Sequence, residues 1–215
     1  MKIYFINIFK DELGIKSIIG LDSFILGCPD WLKKISEKED SRIELFKFNI
    51  GKDKINELAK SDEITHIIHM ASIASPSFYR QYPIETVDAN IWGLRDLLDY
   101  NQQNNNLKGF LFFSSSEIYG DPDNNNIPTK EEYRGLVSCT GPRACYDEAK
   151  RFGETLCSIF RKTNNLPITI VRPFNNYGPG MKINDKRLPA DLAKYVINNK
   201  NITLYSDGSP TRTFC

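Results

Sequence analysis

No sign of charge dominates this sequence of 215 residues, in which 28 Lys and Arg side chains are balanced by 27 Asp and Glu to a net charge of +1. This balance argues against a nucleic-acid or membrane surface that depends on bulk charge. Long apolar runs are also missing, since the first one, Ile3–Ile6, ends at Asn7, far short of the ~20 residues that span a bilayer. No small-residue cleavage site of a secretory signal follows it. We therefore expect the cytoplasm as the location, with no nucleic acid and no membrane among the partners.

Paired cysteine motifs are missing as well. The five cysteines are odd in number and contain no Cys-x-x-Cys pair, so the simplest interpretation is free thiols in a reducing compartment. The two histidines, His66 and His69, flank a predicted strand without a nearby cluster of cysteines or carboxylates. Metal sites need such a cluster, so we expect both histidines to be structural and predict no metal.

A glycine-rich turn near the start is absent. In a doubly wound dinucleotide-binding fold, the first strand leads into such a turn, whose backbone amides hold the pyrophosphate. Gly14 is the only glycine before the first predicted strand, Ser17–Leu21, and a helix-like segment begins near Ile3. The chain is therefore expected to begin after the first strand and the phosphate loop. Asp22 is then placed where an acidic residue would bind the adenosine ribose.

Strand-like and helix-like segments alternate along the chain. The clearest helical spacing begins at Pro83, and a second runs from Ala144 to Lys162. The first places Ile84, Val87, Ile91, Leu94 and Leu98 on one side, and the second Ala149, Phe152, Leu156, Ile159 and Phe160. Weaker helices are Ile3–Leu13, Asp53–Lys60 and Leu188–Asn199, and the strands are Ser17–Leu21, Ile43–Phe48, Thr65–His69, Gly109–Phe113, Ile168–Arg172 and Ile202–Tyr205. This alternation predicts an α/β fold with a doubly wound parallel sheet.

Tyr146 and Lys150 form a Tyr-x-x-x-Lys pair within the second helix. One turn apart on the same side of a helix, the ammonium group would favour the phenolate form of the tyrosine. A phenolate can take a proton from a sugar hydroxyl during hydride transfer. Taken alone, the pair is more typical of an exposed Tyr and Lys on a solvated helix, and that alternative stays open.

Polar residues follow several predicted strands, where the carboxyl ends of parallel strands place ligands. Ser114–Glu117 follow Gly109–Phe113 and could hydrogen-bond a reacting oxygen or move a proton, although they could also only cap the strand. The small residues of Met70–Pro76 would let a flat cofactor approach the backbone. After the strand that ends at Arg172, Asn175 offers an amide to a sugar or a phosphate. Two arginines, Arg187 and Arg212, are candidates for diphosphate contacts but could equally be surface charges.

The order of these features resembles the extended short-chain dehydrogenase/reductase family of nucleotide-sugar epimerases, dehydratases and decarboxylases. The resemblance rests on Ala71–Pro76, Ser115–Pro122 and Gly141–Arg151, and it is extended by Asn184–Arg187 and Thr211–Phe214. Dehydratases of this family would have Thr-Asp-Glu at the strand end and galactose epimerases Ser-Ala-Thr. The sequence Ser115-Ser116-Glu117 has the form of the decarboxylase branch.

The resemblance implies a Rossmann-like domain over residues 1–175, with residues 176–215 as the beginning of a sugar-nucleotide domain. It implies NAD as cofactor, a UDP-sugar as substrate, and a homodimer built from the helices that begin near Pro83 and Ala144. The activity it implies is decarboxylation of UDP-glucuronate to UDP-xylose, by oxidation at carbon 4, loss of carbon dioxide and re-reduction. Dehydration or 4-epimerisation of a nucleotide sugar stays open, as does a non-catalytic or truncated homologue that acts as a binding subunit.

Site residues also follow from the resemblance, position by position. The implied catalytic residues are Ser115, Glu117, Tyr146 and Lys150. The implied cofactor contacts are Asp22, Asn49, Ala71, Ser72, Tyr146, Lys150 and Pro173. The implied substrate contacts are Ser75, Ser116, Asn175, Arg187, Tyr205 and Arg212. Asn49 departs from the family pattern, which usually has an Asp facing the adenine at this position.

Overall fold

The structure of the chain is a computed structural model that describes residues 15–38, 42–203, 206–209, 211 and 213–214. These residues form two compact units: residues 50–174 make up the central unit, and the described residues on either side of that range make up the flanking unit. The predicted helix Ile3–Leu13 and the predicted substrate contacts Tyr205 and Arg212 lie outside the described residues. Of the helices within the described ranges, none combines the length and the apolar character that crossing a bilayer requires.

The flanking unit contains a parallel pair of strands. Strand β1 (Ile18–Asp22) pairs with β2 (Ile43–Lys47), and Ile18 lies opposite Ile43. The helix α1 (Asp30–Ser36) lies between them in the chain and provides the crossover that parallel strands need. Both strands were predicted from their apolar residues, whereas α1 was missed because Leu32 is its only buried residue.

The central unit contains a parallel sheet of three strands. They are β3 (His66–His69), β4 (Gly109–Phe113) and β5 (Ile168–Val171), and β4 lies in the middle. In the register, Phe112 pairs with His69 on one side and with Ile170 on the other. All three predicted strands are confirmed to within one residue, and the parallel pairing confirms the predicted α/β class.

Helices connect β3 to β4 and β4 to β5. Between β3 and β4 lie α2 (Pro76–Gln81), α3 (Pro83–Val87), a π-helical turn (Asp88–Trp92) and α4 (Gly93–Gln103). Between β4 and β5 lies α5 (Ala144–Asn164), which ends where Asn165 adopts a left-handed conformation. A final helix, α6 (Leu188–Ile197), belongs to the flanking unit.

The predicted buried side of α5 is confirmed for Ala149, Leu156 and Phe160 and wrong for two other residues. Its buried positions recur every three or four residues and are Tyr146, Asp147, Ala149, Lys150, Gly153, Leu156, Cys157 and Phe160. Phe152 and Ile159, which were predicted to face inward, are 47% and 49% exposed. The helix is rotated so that Gly153 faces β4, where an added Cβ would come 2.7 Å from the Phe112 ring. This close approach places a tyrosine and a lysine on the buried side.

The predicted buried side of the helical segment that begins at Pro83 is confirmed in α4, where Leu94 and Leu98 are fully buried. It is wrong at the start of the segment, because Ile84 is 68% exposed while Thr86 and Asn90 are fully buried. Both polar side chains donate hydrogen bonds to nearby carbonyls, since Thr86 Oγ1 donates to Tyr82 O at 2.7 Å and Asn90 Nδ2 donates to Thr86 O at 2.7 Å. Such local hydrogen bonds let polar residues occupy positions that a count of apolar residues assigns to the surface.

Two weaker predictions were wrong, and a third was confirmed with an earlier end. Asp53–Lys60 forms only a 3₁₀ turn, Ile55–Glu57, because the chain becomes extended at Leu58. The predicted helix Leu188–Asn199 ends two residues early, at Ile197. The predicted strand Ile202–Tyr205 is absent over its described part, where residues 201–203 are exposed and irregular.

The core of the central unit lies against β4. Phe110 and Phe112 from β4, Leu94 and Leu98 from α4, and Cys157 from α5 are essentially inaccessible to solvent. Burial of each large apolar side chain contributes roughly 1.5–3 kcal/mol. The packing therefore holds α4 and α5 firmly against the strand whose end carries the serines.

We expect Gly120→Ala to destabilise the central unit strongly. Gly120 has φ 65° and ψ −126° where the 3₁₀ turn after β4 ends, and an added Cβ would lie 1.9 Å from Leu136 O. The backbone conformation alone would cost about 1–3 kcal/mol, and the clash adds to it. Thermal unfolding measures this loss. Gly141→Ala is the control, because its Cβ would first meet the Ser138 side chain at 3.1 Å, and an equal loss in both variants would contradict the prediction.

Candidate active site

The carboxyl end of β4 begins the candidate site. Ser115 caps the 3₁₀ turn Ser116–Tyr119, because its Oγ accepts a hydrogen bond from the Glu117 amide at 3.2 Å. Ser114 and Ser115 are both buried, and Ser114 Oγ has no hydrogen-bond partner among the described residues. The strand cap, which the sequence presented as an alternative to a catalytic role, is therefore present. The capped strand end still carries the buried hydroxyl groups of Ser114 and Ser115.

Lys150 joins α5 to this strand end. Its side chain is 2% exposed, and Nζ donates a hydrogen bond to Phe113 O, the last carbonyl of β4, at 2.6 Å. Nζ also lies 5.0 Å from the centroid of the Phe112 ring and 5.9 Å from that of Tyr146. Tyr146 and Lys150 are both buried, which rules out an exposed pair on a solvated helix.

Burial lowers the pKa of Lys150 from its ordinary value of 10.5 to about 7. The cause is the loss of hydration of the ammonium group, which disfavours the charged form. On the same side of α5, burial raises the pKa of the Cys157 thiol from 9.0 to about 12. Lys150 therefore exchanges its proton near neutral pH, whereas Cys157 stays a thiol.

Tyr146 stacks on a second tyrosine. Its ring lies against Tyr79 of α2, with centroids 5.2 Å apart and an angle of 11° between the ring planes. Tyr79 is 1% exposed, and its hydroxyl has no hydrogen-bond partner among the described residues. Burial raises the pKa of Tyr79. The stack fixes the Tyr146 ring between the end of β3, which α2 follows, and the end of β4.

Arg143 links Glu117 to α5. Its Nη2 forms an ion pair with Glu117 Oε2, and its Nε lies 3.3 Å from Asp147 Oδ2. Burial raises the pKa of Asp147, and the Arg143 guanidinium opposes this rise. Glu117 is thus held beside the first turn of the helix that carries Tyr146.

The end of β3 contributes small and polar residues. Ala71 and Ser72 are half-buried and Ser75 is buried. Asn90, in the π-helical turn, donates from Nδ2 to Ser72 Oγ at 2.9 Å, while its buried Oδ1 has no partner among the described residues. Such π-helical turns are frequent at functional sites. This segment therefore offers one unfilled acceptor, Asn90 Oδ1, beside small side chains.

His69 has the structural role that the sequence predicted. Its Nε2 lies 3.1 Å from Ala89 O, and its ring stacks on Phe112 with centroids 5.7 Å apart. Burial, assisted by the positive charge of Lys150, lowers the pKa of His69 to about 3. No group of His, Cys, Asp and Glu among the described residues could hold a metal ion.

The end of β5 meets the same region. The Ser114 amide donates to Val171 O at 2.8 Å and the Ser116 amide donates to Pro173 O at 3.0 Å. Pro173 therefore lies directly beside Ser116. Within the central unit, the structure brings together Ser115, Ser116, Glu117, Tyr146, Lys150 and Pro173, with Ser72 and Ser75 at the end of β3.

The remaining predicted contacts lie in the flanking unit. Asp22, at the end of β1, accepts a hydrogen bond from the Phe24 amide at 2.8 Å, and its carbonyl accepts one from Phe48, the residue before Asn49. Asp22 and Asn49 therefore occupy neighbouring strand ends.

Asn175 and Arg187 of the flanking unit are engaged locally. Asn175 Nδ2 donates to Thr213 O at 3.0 Å. Arg187 pairs with Asp185, with Nη2 and Oδ2 3.0 Å apart. A phosphate contact by Arg187 would therefore compete with a carboxylate already in place.

Three residues around the site were not singled out from the sequence. Arg143 was detectable, since it precedes Asp147 by four residues and Tyr146 by three, within the motif that carries the resemblance. Tyr79 and Asn90 carried no such signal, because a ring stack and a buried amide depend on elements distant in the chain.

The free energy of unfolding is expected to rise with pH between about 7 and 9 because of Lys150. With its pKa lowered to about 7, the folded protein binds fewer protons there than the unfolded chain, so stability increases with pH. The slope for one proton is at most about 1.4 kcal/mol per pH unit. Above pH 9 the raised pKa of Cys157 acts in the opposite direction, which limits the useful window.

Chemical denaturation at several pH values measures this slope in the wild type and in Lys150→Met, which should lose it. Lys162→Met, which removes an exposed lysine from the last turn of the same helix, should keep it. Identical slopes in the wild type and Lys150→Met would contradict the prediction.

Known proteins resemble this chain in sequence and in structure. The chain is 38% identical over 152 residues to UDP-glucuronic acid decarboxylase 1 of Xenopus tropicalis. The aligned segment covers 71% of this chain and 35% of the relative. It is 33% identical over 198 residues to UDP-glucuronic acid decarboxylase 5 of Arabidopsis thaliana, covering 92% of this chain and 54% of the relative. The chain thus spans about a third to a half of the length of these curated relatives.

A solved structure supports the same relationship. The UDP-glucuronic acid 4-epimerase of Bacillus cereus, in complex with NAD, superimposes with a TM-score of 0.71 at 27% identity, over 92% of this chain and 60% of that one. This agreement confirms the predicted Rossmann-like fold class. The sequence profile of the NAD dependent epimerase/dehydratase family matches residues 16–215, and the chain therefore belongs to that family.

Proposed function

We propose that the protein decarboxylates UDP-glucuronate to UDP-xylose with NAD as cofactor. The observation that carries the proposal is the hydrogen bond from Lys150 Nζ to Phe113 O at 2.6 Å, which joins the Tyr146–Lys150 pair to the strand end that bears Ser115 and Glu117. The sequence similarity to UDP-glucuronic acid decarboxylases, 38% over 152 residues, supports the choice of reaction within the family.

The residues of the central unit fit NAD. The buried acceptors of Ser114 and Asn90 without partners among the described residues, and the small side chains of Ala71 and Ser72, suit a flat polar cofactor at the strand ends. We assign its contacts in this unit to Ala71, Ser72, Tyr146, Lys150 and Pro173, and we retain Asp22 and Asn49 of the flanking unit as contacts of its adenosine part. When bound, NAD supplies a reversible hydride acceptor for carbon 4 of the sugar.

The side chains then divide the proton transfers. Tyr146 takes the proton of the carbon-4 hydroxyl as general base, while Ser115 hydrogen-bonds the same oxygen and the Lys150 ammonium group, when protonated, favours the phenolate. A carbonyl at carbon 4 stands β to the carboxylate and accepts its electrons as carbon dioxide leaves, so no metal is needed. After carbon dioxide has left, Glu117 or a nearby group helps to deliver a proton to carbon 5, and the return of hydride to carbon 4 then gives UDP-xylose. We propose Ser75, Ser116, Asn175, Arg187, Tyr205 and Arg212 as substrate contacts.

A second candidate is 4-epimerisation of UDP-glucuronate. It is favoured by the structural similarity to the Bacillus cereus 4-epimerase, at 27% identity. A nucleotide-sugar dehydratase is a further alternative, as is a binding subunit without activity.

Product analysis after incubation with UDP-glucuronate and NAD separates these candidates. Decarboxylation releases carbon dioxide and yields UDP-xylose, epimerisation leaves the mass unchanged, and dehydration removes water. We expect UDP-xylose. UDP-galacturonate as the product would favour the 4-epimerase, and nucleotide-sugar binding without any product would favour a binding subunit.

Tyr146→Phe should abolish turnover and leave UDP-glucuronate binding nearly intact. The hydroxyl group is the proposed base and acts on the barrier, while the ring keeps its stack on Tyr79. Steady-state rates and calorimetric titration measure the two effects, and Tyr133→Phe is the control that removes a hydroxyl elsewhere in the central unit. Retention of more than about a tenth of the rate, equal to less than ~1.4 kcal/mol of barrier, would remove Tyr146 from this role.

Glu117→Gln should slow UDP-xylose formation by ~10²–10⁴-fold, since an amide keeps the size of the carboxylate but cannot transfer its proton. The rate is measured per folded molecule, with a melting curve alongside. A residue that only shapes the turn would lower the melting temperature and leave this rate unchanged, and that outcome would assign Glu117 to the loop.

We also retain the homodimer and the cytoplasmic location as proposals. Phe152 and Ile159 of α5, together with Ile84 of α3 and Trp92 of the π-helical turn, expose apolar surface that a second copy could cover. Sedimentation equilibrium measures the mass, and a monomer at micromolar concentration would contradict the dimer.

A further inference from the structure

Arg143 has no part in the proposed chemistry, yet it contacts both elements that carry it. Its guanidinium pairs with Glu117 Oε2 in the 3₁₀ turn after β4, and its Nε lies 3.3 Å from Asp147 Oδ2 in the first turn of α5. Arg143 itself occupies the N-cap position of α5, and its carbonyl accepts hydrogen bonds from the Tyr146 and Asp147 amides at 2.9 Å and 3.0 Å.

These contacts matter for geometry more than for stability. The side chains of Arg143 and Glu117 are 36% and 31% exposed, and ion pairs at such exposure contribute little to stability. The Glu117 amide is already held by Ser115 Oγ at 3.2 Å, so the backbone of the turn does not depend on the arginine. The Glu117 carboxylate has free rotations beyond its backbone, and the guanidinium holds its end.

An arginine suits this place for a chemical reason. The planar guanidinium presents donors in two directions, so it can contact carboxylates on two elements at once, which a lysine ammonium does with less orientation. The same residue therefore joins the turn that carries Glu117 to the helix that carries Tyr146, three residues further along.

We infer that Arg143 is a positioning residue, which holds the Glu117 carboxylate in register with Tyr146 across the junction of β4 and α5. The catalytic consequence of this inference rests on the proposed decarboxylation, whereas the holding of the side chain does not. Arg143 should therefore affect the step that uses Glu117 and spare the oxidation that uses Tyr146.

The holding is tested without activity, by NMR of the full chain labelled with ¹³C-glutamate. The Glu117 side-chain signal is assigned by its loss in Glu117→Gln. In the wild type we expect the Glu117 signal to be resolved from the signals of mobile glutamates. In Arg143→Gln it should move to the position of those mobile glutamates. In Arg143→Lys it should lie between its position in the wild type and its position in Arg143→Gln. Arg161→Gln, an exposed arginine in the last turn of the same helix, should leave it in place. An unmoved Glu117 signal in folded Arg143→Gln would overturn the inference.

The consequence is tested in a single turnover with UDP-glucuronate and NAD, in which NADH absorbance reports the oxidation and the formation of UDP-xylose reports the steps after carbon dioxide has left. Arg143→Gln should slow the formation of UDP-xylose at least about tenfold, while NADH appears at nearly the wild-type rate. The double variant with Glu117→Gln should be no slower than the slower single variant, because the two residues act as a unit.

The outcomes separate the two ideas. Equal slowing of both steps in Arg143→Gln would assign the arginine to the general integrity of the site and overturn the positioning role. A wild-type protein that releases no carbon dioxide would refute the proposed function, and the NMR result would still decide whether Arg143 holds Glu117.

Discussion

A buried amine is the constraint on which the candidate site depends. Lys150 lies in the core of the central unit, where an uncompensated positive charge would be costly, and its only low-cost position is one that supplies a strong acceptor. The Phe113 carbonyl at the end of β4 is that acceptor, at 2.6 Å, and the Phe112 ring beneath it adds a favourable interaction with the cation. The hydrogen bond therefore fixes both the rotation of α5 and its height along β4.

The rest of the central unit is arranged around this bond. With α5 held against β4, the helix residue that faces Phe112 must be a glycine, Gly153, because any Cβ there would collide with the ring. Tyr146, one turn before Lys150, then meets Tyr79 in a nearly parallel stack. The apolar side chains Phe152 and Ile159 are left on the outer side of the helix.

The Ser115 cap at the end of β4 shows how one local feature can have both a structural and a chemical consequence. Ser115 caps a short turn and so fixes the Glu117 amide, which is a structural role. The same cap leaves the Glu117 carboxylate pointing to a partner, and Arg143 of the α5 N-terminus is that partner. Structural and chemical roles at a strand end thus need not exclude each other, although the sequence presented them as alternatives.

The sequence by itself determined the five strands of the two parallel sheets and the family. Apolar runs bounded by polar residues predicted all five strands of the two parallel sheets to within one residue, because backbone preference and burial act locally. The motifs around Ser115 and Tyr146 identified the candidate site residues, since the residues that are typical of a family lie in short contiguous segments of its sequences. The tertiary structure alone decided that Ile84, Phe152 and Ile159 are exposed. It also decided that Tyr79 and Asn90 border the site and that Arg143 holds Glu117. These features depend on contacts between residues up to 67 positions apart in the chain, such as Tyr79 and Tyr146. A local sequence pattern does not predict the energies of such contacts.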